Sequence, residues 1–476
     1  MDLDISNQRV LVAGLGISGQ SVAQALRGRV RSVVCVDERA PQADLHSFDL
    51  IDFDQVDLVM ASPVFPPSSP FIVEALKRGI PVVSEVEIAW QLRVDSKRSG
   101  QPASWIGITG TNGKTSTTQM TAAMMTAAGF DAPAVGNIGK AVSQAALDPS
   151  HDALCVELSS FQLHFTYSLA LECAAITNLA ADHLDWHGGF EAYVADKAKI
   201  YQGVRKALVY NADDDRVAAI AQQAQPVEGC RKVGFTLGHP REGLIGISDG
   251  WIVDMSGMAS GEVGQAERIL PLSDLSGLSE PNGQVYPHLL ADALCAFALA
   301  LGAGASRQAA CQAMKHFRPG DHRIETVAQL GQDSQAIRFV DDSKATNAHA
   351  AQASLSSYAP GSVVWIAGGL AKGARFDDLV RSQASQLAAA VVIGVDAEPI
   401  LEALATQAPQ VPVTRISAQP QDSLMRRAVE AASSYAQPGQ VVLLAPACAS
   451  MDQFTSYAER GALFTQEAQQ WVSDHE

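Results

Sequence analysis

The chain has 476 residues, more than one hydrophobic core usually serves, so two or three domains are expected. Its 34 basic and 51 acidic residues give a formal net charge of −17, which argues against nucleic acid or an anionic membrane as a partner. The seven cysteines form no CxxC pair, and no apolar run approaches the roughly 20 residues of a membrane span, which indicates an intracellular protein with reduced thiols.

The first predicted element is a strand over residues 10–13, followed by a GxGxxG turn at residues 14–19. A helix and a second strand come next, and that strand ends at Asp37. This layout is typical of a Rossmann unit and, taken alone, it suggests NAD. The same backbone also binds other nucleotides, so a phosphate or uracil edge held by Arg39 is the open alternative.

A second glycine-rich loop lies between a short apolar strand and a helix predicted over residues 115–128. Backbone N–H groups at such a helix start face an anion and a lysine adds charge, so a Lys-Thr pair there predicts a nucleoside triphosphate. Lys114 would contact the phosphates and Thr115 would bind Mg²⁺. The strict pattern has a glycine where this chain has Ile108, so the loop is a variant. The predicted loop residues are Gly110, Thr111, Asn112, Gly113, Lys114, Thr115 and Ser116.

Three further positions in this region could carry chemistry. Glu157 closes a predicted strand near the loop and is placed to bind Mg²⁺, although a helix-capping acid is the alternative. The run at residues 182–187 packs two acids and two histidines after the next strand, which predicts metal or substrate contact. Lys197 lies in a helix-like stretch, where composition alone predicts a solvated charged face.

The rest of the chain completes the domain plan. Residues 232–253 predict antiparallel hairpins beside a parallel sheet, and from residue 318 strands alternate with helices again. Lys344 and Lys372 lie at strand ends there, which suggests capture of a carboxylate or phosphate, with a surface role as the alternative. We predict an α/β fold with a Rossmann-like domain, a central P-loop-type ATPase domain with a mostly parallel sheet, and a second Rossmann-like domain. The predicted bounds are 1–99, 100–317 and 318–476.

Several strings together resemble the Mur ligases over essentially the whole chain. The loop at 109–115 is common to Mur ligases and folylpolyglutamate synthases. ELSSFQL at 157–163 and PACASMDQF at 446–454 are narrower, and they are similar to the members that add D-glutamate. This resemblance implies an ATP-dependent ligase that joins D-glutamate to UDP-N-acetylmuramoyl-L-alanine through an acyl phosphate in peptidoglycan synthesis. The alternative is another Mur or folylpolyglutamate-type ligase with a different amino acid.

The resemblance also implies a role for each domain: the uridine diphosphate on the first, ATP and Mg²⁺ on the second and D-glutamate on the third. Lys197 resembles the family lysine that reacts with CO₂ to form a carbamate, an anionic ligand able to bridge metals. The implied catalytic residues are Lys114, Glu157, His183, Lys197, Lys344 and Lys372. Implied contacts are Leu15, Asp37, Arg39, Asn137 and Asp182 for the UDP-substrate; Asp292, Arg323 and Asp342 for ATP; Thr115, Glu157, His183 and Lys197 for metal; and Lys344, Thr346, Lys372, Ser450 and Tyr457 for D-glutamate.

Two stretches depart from the family pattern. The alanine-rich helix keeps the family histidine at His288, but Leu289 and Asp292 stand where asparagines are usual. Val64 stands where a Ser-Pro-Gly string usually has its glycine. We expect a cytoplasmic monomer that binds neither nucleic acid nor membrane.

Overall fold

The computed structural model describes residues 5–280 and 283–476. The chain divides into two compact units, one of Met1–Gly277 with His288–Phe317 and one of Leu278–Pro287 with Arg318–Glu476. The segment Leu278–Pro287 therefore belongs with the C-terminal residues, although the chain then returns to the first unit. The sheets are mostly parallel and alternate with helices, which confirms the predicted α/β class.

The first sheet has four parallel strands in the order β2-β1-β3-β4. Its elements are β1 (Arg9–Ala13), α1 (Ile17–Leu26), β2 (Ser32–Val36), β3 (Leu58–Ala61), α2 (Pro70–Lys77), β4 (Val82–Val83) and α3 (Glu85–Leu92). Apolar side chains of β1 are buried on both faces, as parallel strands covered by helices require. The predicted strand, glycine turn, helix and second strand are all present.

The second sheet has nine strands in the order β13-β12-β11-β10-β9-β8-β5-β7-β6. Its elements are β5 (Ser104–Thr109), α4 (Lys114–Ala127), β6 (Ala134–Gly136), α5 (Val142–Ala145), β7 (Ala153–Glu157), α6 (Ser160–His164), β8 (Cys173–Ile176), α7 (Leu184–His187), α8 (Phe190–Ala198), β9 (Ala207–Asn211), α9 (Asp215–Gln223), β10 (Arg231–Phe235), β11 (Leu244–Ser248), β12 (Trp251–Asp254), β13 (Glu267–Pro271), α10 (Pro287–Gly302) and α11 (Arg307–His316). The pair β11–β12 is antiparallel, as predicted, but β10 pairs with β11 in parallel, so the prediction of a hairpin there is wrong. The pair β12–β13 is also antiparallel.

The central strand β5 determines which loops of this unit can form a common site. β5 lies between β7 and β8 and is parallel to both. Carboxyl ends of parallel strands meet at one edge of a sheet, so Thr109, Glu157 and Ile176 end at the same edge. The loop before α4 begins there.

The C-terminal unit contains a six-stranded sheet in the order β14-β15-β19-β16-β17-β18. Its elements are β14 (Glu325–Leu330), β15 (Ile337–Asp341), α12 (Ala348–Leu355), β16 (Val363–Gly368), α13 (Asp377–Gln383), β17 (Leu387–Ile393), α14 (Glu398–Gln407), β18 (Val413–Arg415), α15 (Leu424–Tyr435), β19 (Val441–Leu444) and α16 (Tyr457–His475). β14 is an antiparallel edge strand that the sequence did not predict, because only three of its six residues are apolar and none of the six is buried. Among the described residues, no helix has the length and apolarity to cross a membrane.

Candidate active site

The loop between β5 and α4 has a backbone that only glycine fits at two positions. Gly110 has φ +151° and Gly113 has φ +78°. A Cβ on Gly110 would lie 1.9 Å from Thr177 Oγ1, and one on Gly113 would lie 2.2 Å from Asp292 Oδ1. No side chain caps the start of α4, and the positive end of the helix dipole there attracts an anion.

The end of β8 holds this loop in place. Asn178 accepts the N–H of Thr111 through its carbonyl at 2.9 Å and the N–H of Asn112 through Oδ1 at 2.9 Å. Thr177 Oγ1 donates to the Asn112 carbonyl at 2.6 Å. Lys114 Nζ donates to the carbonyls of Gly110 and Thr111 at 3.0 and 2.7 Å, so its ammonium lies against the loop. The predicted phosphate loop is thus preformed.

Glu157 joins the loop to a neighbouring strand. Its side chain is buried, and it accepts hydrogen bonds from Thr115 Oγ1 at 2.8 Å and Asn137 Nδ2 at 2.9 Å. The capping alternative fails because Ser159 caps α6, with Gln162 completing a capping box. The carboxylate of Glu157 and the hydroxyl of Thr115 are oxygen ligands of the kind that a hard cation such as Mg²⁺ prefers.

Lys197 is buried against the same loop, so the composition-based prediction of a solvated face is wrong. Its Nζ donates to the Gly110 carbonyl at 2.7 Å and lies 3.3 Å from Thr109 Oγ1. The ring of Tyr193 lies 4.7 Å from Nζ. Burial holds the pKa of Lys197 well below its usual range, and the charge of Lys114 lowers it further.

The two histidines of the 182–187 run have different surroundings. His183 has φ +53° and a half-exposed side chain whose Nε2 lies 3.6 Å from Asp182 Oδ2. Partial burial lowers the pKa of His183, while Asp182 opposes that shift. The side chain of His187 is fully buried, with Nδ1 2.9 Å from Asp196 Oδ2 and Nε2 2.9 Å from Ser160 Oγ. Only His183 is therefore placed to meet a ligand.

The N-terminal glycine turn is organised around Asp37. One carboxylate oxygen accepts the N–H of Leu15 at 2.7 Å, and the other accepts the N–H groups of Arg39 and Ala40 at 2.8 and 2.9 Å. These hydrogen bonds, led by that of Leu15, lower the pKa of Asp37. Since both oxygens of Asp37 already accept hydrogen bonds from backbone N–H groups, they are poorly placed to hold the ribose hydroxyls of NAD. The Arg39 side chain is exposed beside this turn.

In the C-terminal unit, the loops after β15, β16 and β19 meet at one edge because these strands are parallel. Leu370 N donates to the Ala449 carbonyl at 2.8 Å, which joins two of these loops. Lys344 Nζ lies 3.8 Å from the centroid of the Tyr457 ring, and Lys372 has φ +51°. The predicted D-glutamate residues Lys344, Thr346, Lys372, Ser450 and Tyr457 all belong to these loops or to the start of α16.

Arg460 is a buried residue of this edge that the sequence analysis missed. Its guanidinium donates to Ser343 Oγ at 3.0 Å, to the Ser343 carbonyl at 2.9 Å and to the Cys448 carbonyl at 3.2 Å. Burial lowers its pKa to about 10. Its spacing to Phe464 and Ala468, four residues apart on one helix face, could have identified it.

The structure also shows where the predicted ATP contacts Asp292, Asp342 and Arg323 lie. Asp292 lies in α10 against Gly113, within the first unit. Asp342 follows β15 in the other unit, where burial raises its pKa to about 7, and it contacts Ser354 Oγ and Ile324 N. Arg323 precedes β14. Burial raises the pKa of the Cys448 thiol to about 12, so it stays protonated near neutral pH.

Comparisons with known proteins agree with this geometry. Residues 108–243 match the Mur ligase middle domain, and residues 322–448 match the Mur ligase, glutamate ligase domain. The chain is 62% identical over 476 residues to UDP-N-acetylmuramoylalanine--D-glutamate ligase of Bifidobacterium adolescentis, which covers 100% of this chain and 99% of that protein. The chain belongs to the Mur ligase family.

More distant relatives extend the likeness. This Mur ligase is 44% identical to the enzyme of the same name from Streptomyces coelicolor, over 98% of each chain. Its fold resembles UDP-N-acetylmuramate-alanine ligase of Thermotoga maritima, with a TM-score of 0.55 at 16% identity over 98% of this chain and 100% of that one. It also resembles MurF ligase of Thermotoga maritima, solved with ADP, with a TM-score of 0.56 at 13% identity over 93% and 96% of the two chains. At such identities the likeness shows the fold alone.

Proposed function

We propose that this Mur ligase joins D-glutamate to UDP-N-acetylmuramoyl-L-alanine, with conversion of ATP to ADP and phosphate, in the cytoplasmic synthesis of peptidoglycan precursors. The observation that carries this proposal is the 62% identity over the full chain to a ligase of that name. The glycine-rich loop supports it, because it places the Lys114 ammonium beside the start of α4, and both attract the phosphates of ATP.

The chemistry begins with an unreactive acid. A carboxylate is a poor electrophile because its negative charge is delocalised and repels nucleophiles. The alanine carboxylate of the UDP-substrate attacks the γ-phosphorus of ATP, ADP leaves, and an acyl phosphate forms. Lys114 would neutralise charge that develops on the phosphates during this transfer.

The second step forms the amide bond. The neutral amine of D-glutamate attacks the acyl carbon, and the tetrahedral intermediate collapses with loss of phosphate and a proton. Lys344 and Lys372 would hold the carboxylates of D-glutamate, and Ser450 and Thr346 would donate hydrogen bonds to them. Since ATP and D-glutamate are assigned to different domains, domain closure would precede chemistry.

Mg²⁺ fits the group around Glu157. Thr115 Oγ1 and the Glu157 carboxylate are 2.8 Å apart at the start of α4, and both are oxygen ligands. Bound there, Mg²⁺ would offset phosphate charge. His183 would bind a second ion.

Lys197 is the proposed site of a carbamate. Only a neutral amine adds to CO₂, and the burial that lowers the pKa of Lys197 favours that form. The product would be an anionic oxygen ligand close to Gly110 and Thr109. Mass analysis and ¹³C NMR with labelled bicarbonate test this: we expect a carbamate signal that Lys197→Ala abolishes, and its absence at saturating bicarbonate would contradict the assignment.

The proposed function is tested by assays from which one reactant at a time is left out. We expect phosphate release from the purified protein only when ATP, Mg²⁺, UDP-N-acetylmuramoyl-L-alanine and D-glutamate are all present. A panel of L-glutamate, L-alanine, L-lysine and diaminopimelate tests the alternative of a ligase for another amino acid. Turnover with one of these, and none with D-glutamate, would replace the substrate assignment. Analytical ultracentrifugation tests the proposed monomer.

A further inference from the structure

We propose that Asp196 is a positioning residue that sets the places of His183 and Lys197, the two proposed metal-ligand positions that follow β8 in the chain. The proposal rests on the function proposed above for those two residues. Asp196 immediately precedes Lys197 in α8, yet the two side chains contact different parts of the molecule. Lys197 contacts the phosphate loop, whereas Asp196 contacts α6 and α7.

The Asp196 carboxylate is the centre of a buried group of hydrogen bonds. Its Oδ2 accepts from Nδ1 of His164 at 2.7 Å and from Nδ1 of His187 at 2.9 Å, and its Oδ1 pairs with Lys199 Nζ at 2.9 Å. The side chain of Asp196 is 7% exposed and that of His187 is 0% exposed. A buried carboxylate needs such partners, because desolvation without them is costly.

A hydrogen bond of His187 extends the group to the start of α6, close to the strand that carries Glu157. His187 Nε2 lies 2.9 Å from Ser160 Oγ, and Ser160 begins α6 three residues after Glu157. We call Asp196, His164, His187, Ser160 and Lys199 the Asp196 network. It joins three helices: α6, which follows Glu157; α7, which begins directly after His183; and α8, which contains Lys197.

The network is the main polar attachment of the short helix α7. This helix has four residues, Leu184–His187, and His183 is its N-cap. So short a helix is not stable by itself. Besides the network, Trp186 of this helix packs against a hydrophobic cluster that includes Phe165, and the ring of Phe161 lies 4.8 Å from that of His183 and 5.5 Å from that of His187. The network therefore holds the polar side of the segment that carries His183, and these apolar contacts hold its other side.

The network itself is poorly suited to bind a metal, although His164, His187 and Asp196 are three ligand-type residues whose atoms lie within 4.8 Å of one another. Both Nδ1 atoms are at hydrogen-bond distance from the same carboxylate oxygen. The Lys199 ammonium pairs with the other oxygen and would repel a cation. The geometry points to a support for neighbouring ligands.

The test compares three substitutions. Asp196→Asn removes the charge, and its amide has one acceptor oxygen in place of two. His187→Asn places an amide nitrogen where Nδ1 lies and so keeps the hydrogen bond to Asp196. His187→Gln places its amide near Nε2 and loses that bond. His151→Gln is the matched control, because His151 Nδ1 lies 2.7 Å from Asp131 in a pair elsewhere in the same unit.

Two measurements are made on the full-length protein. The first is the Mg²⁺ concentration that gives half-maximal ligase activity, together with KM for D-glutamate. The second is amide hydrogen exchange of residues 183–190 without nucleotide or metal. For Asp196→Asn and His187→Gln we expect a 10- to 100-fold higher Mg²⁺ requirement, as for other residues that orient metal ligands, with KM for D-glutamate unchanged. Exchange should be faster in both, and His187→Asn and the control should resemble the wild type.

Several results would overturn the proposal. One is wild-type Mg²⁺ dependence in Asp196→Asn and His187→Gln, even with faster exchange, since the network would then be only structural. Another is equal behaviour of His187→Asn and His187→Gln. If Asp196→Asn does not fold, the two His187 variants decide. Exchange without ligands does not depend on turnover, so a failed ligase assay would count against the proposed function, whereas unchanged exchange would count against the network.

Discussion

The two glycine-rich turns of the first unit have similar sequences but different electrostatics. In each, a glycine is required by a close approach: a Cβ on Gly19 would lie 1.8 Å from the Gly14 carbonyl, and one on Gly110 would lie 1.9 Å from Thr177 Oγ1. The first turn is followed by a carboxylate, Asp37, which accepts a backbone N–H of the turn itself. The second is followed by Lys114, with Lys197 buried against the same loop.

This difference shows that glycine spacing determines the backbone path, whereas neighbouring charges determine the ligand. Backbone N–H groups of both turns are already hydrogen-bonded, to Asp37 in the first and to Asn178 in the second, and neither following helix has a side-chain cap. What differs is the charge: a carboxylate lies against the first turn and two lysines lie against the second, which favours the more highly charged triphosphate there. The four predictions that follow test this contrast, from the largest expected effect to the smallest.

Lys114→Ala should abolish the function of the second turn. We expect kcat/KM to fall by about 10³-fold, since a cation aimed at the transferring phosphoryl group is lost. Calorimetry should show unchanged binding of the UDP-substrate, because the first turn is intact. Amide formation by Lys114→Ala at the wild-type rate would contradict the proposed role of the loop.

Glu157→Gln tests the metal position beside this turn. The amide still accepts one hydrogen bond but carries no charge, so we expect an Mg²⁺ affinity about 10- to 100-fold lower, measured as the Mg²⁺ dependence of ATP binding. Glu191→Gln is the control, because Glu191 forms an exposed ion pair with Arg216. An equal change in both variants would show that the effect is not local.

Asp37→Asn tests the first turn. The amide nitrogen cannot accept the backbone hydrogen bonds that one oxygen receives, so we expect about 1–3 kcal/mol less stability in urea unfolding and weaker binding of the UDP-substrate. ATP affinity should not change. If both ligands lost affinity equally, the two turns would not be independent.

Asp342→Asn tests a second carboxylate, whose pKa is shifted in the opposite direction from that of Asp37. Three backbone N–H groups lower the pKa of Asp37, whereas burial raises that of Asp342 to about 7. Between the unfolded value, about 4, and 7, folded Asp342 binds a proton that the unfolded chain lacks, so the free energy of unfolding falls as pH rises, by about 1.4 kcal/mol per pH unit. Because asparagine does not titrate, Asp342→Asn removes this pH-dependent part of the free energy of unfolding. Identical pH slopes for the variant and the wild type, measured by urea unfolding, would contradict the raised pKa.

The sequence predicted the parts of this molecule that are encoded locally. The order of strands and helices follows from short patterns, and the structure confirms it. The same patterns placed the glycine-rich loop before α4 and Glu157 at the end of β7, where the structure has them. Lys197 shows where composition fails: in a helix with Glu191 and Asp196 it looks solvated, and only the carbonyl of Gly110, 87 residues away, shows why it is buried. The hydrogen bonds of Arg460 and the contacts of Asp196 with His164 and His187 also join residues distant in the chain or in different helices, and no local pattern reports them. β14 was missed because an exposed edge strand needs no apolar alternation.

The segment Leu278–Pro287 has a practical consequence for dissecting the protein. Within the C-terminal unit, Glu280 of this segment pairs with Arg338 of β15 at 3.2 Å, and both side chains are largely buried. A fragment that starts at Arg318 would keep the arginine and discard its acid, leaving an uncompensated charge in a low-dielectric setting. Recombinant versions of this half should therefore carry residues 278–287 as a grafted peptide, or replace Arg338 with a neutral side chain.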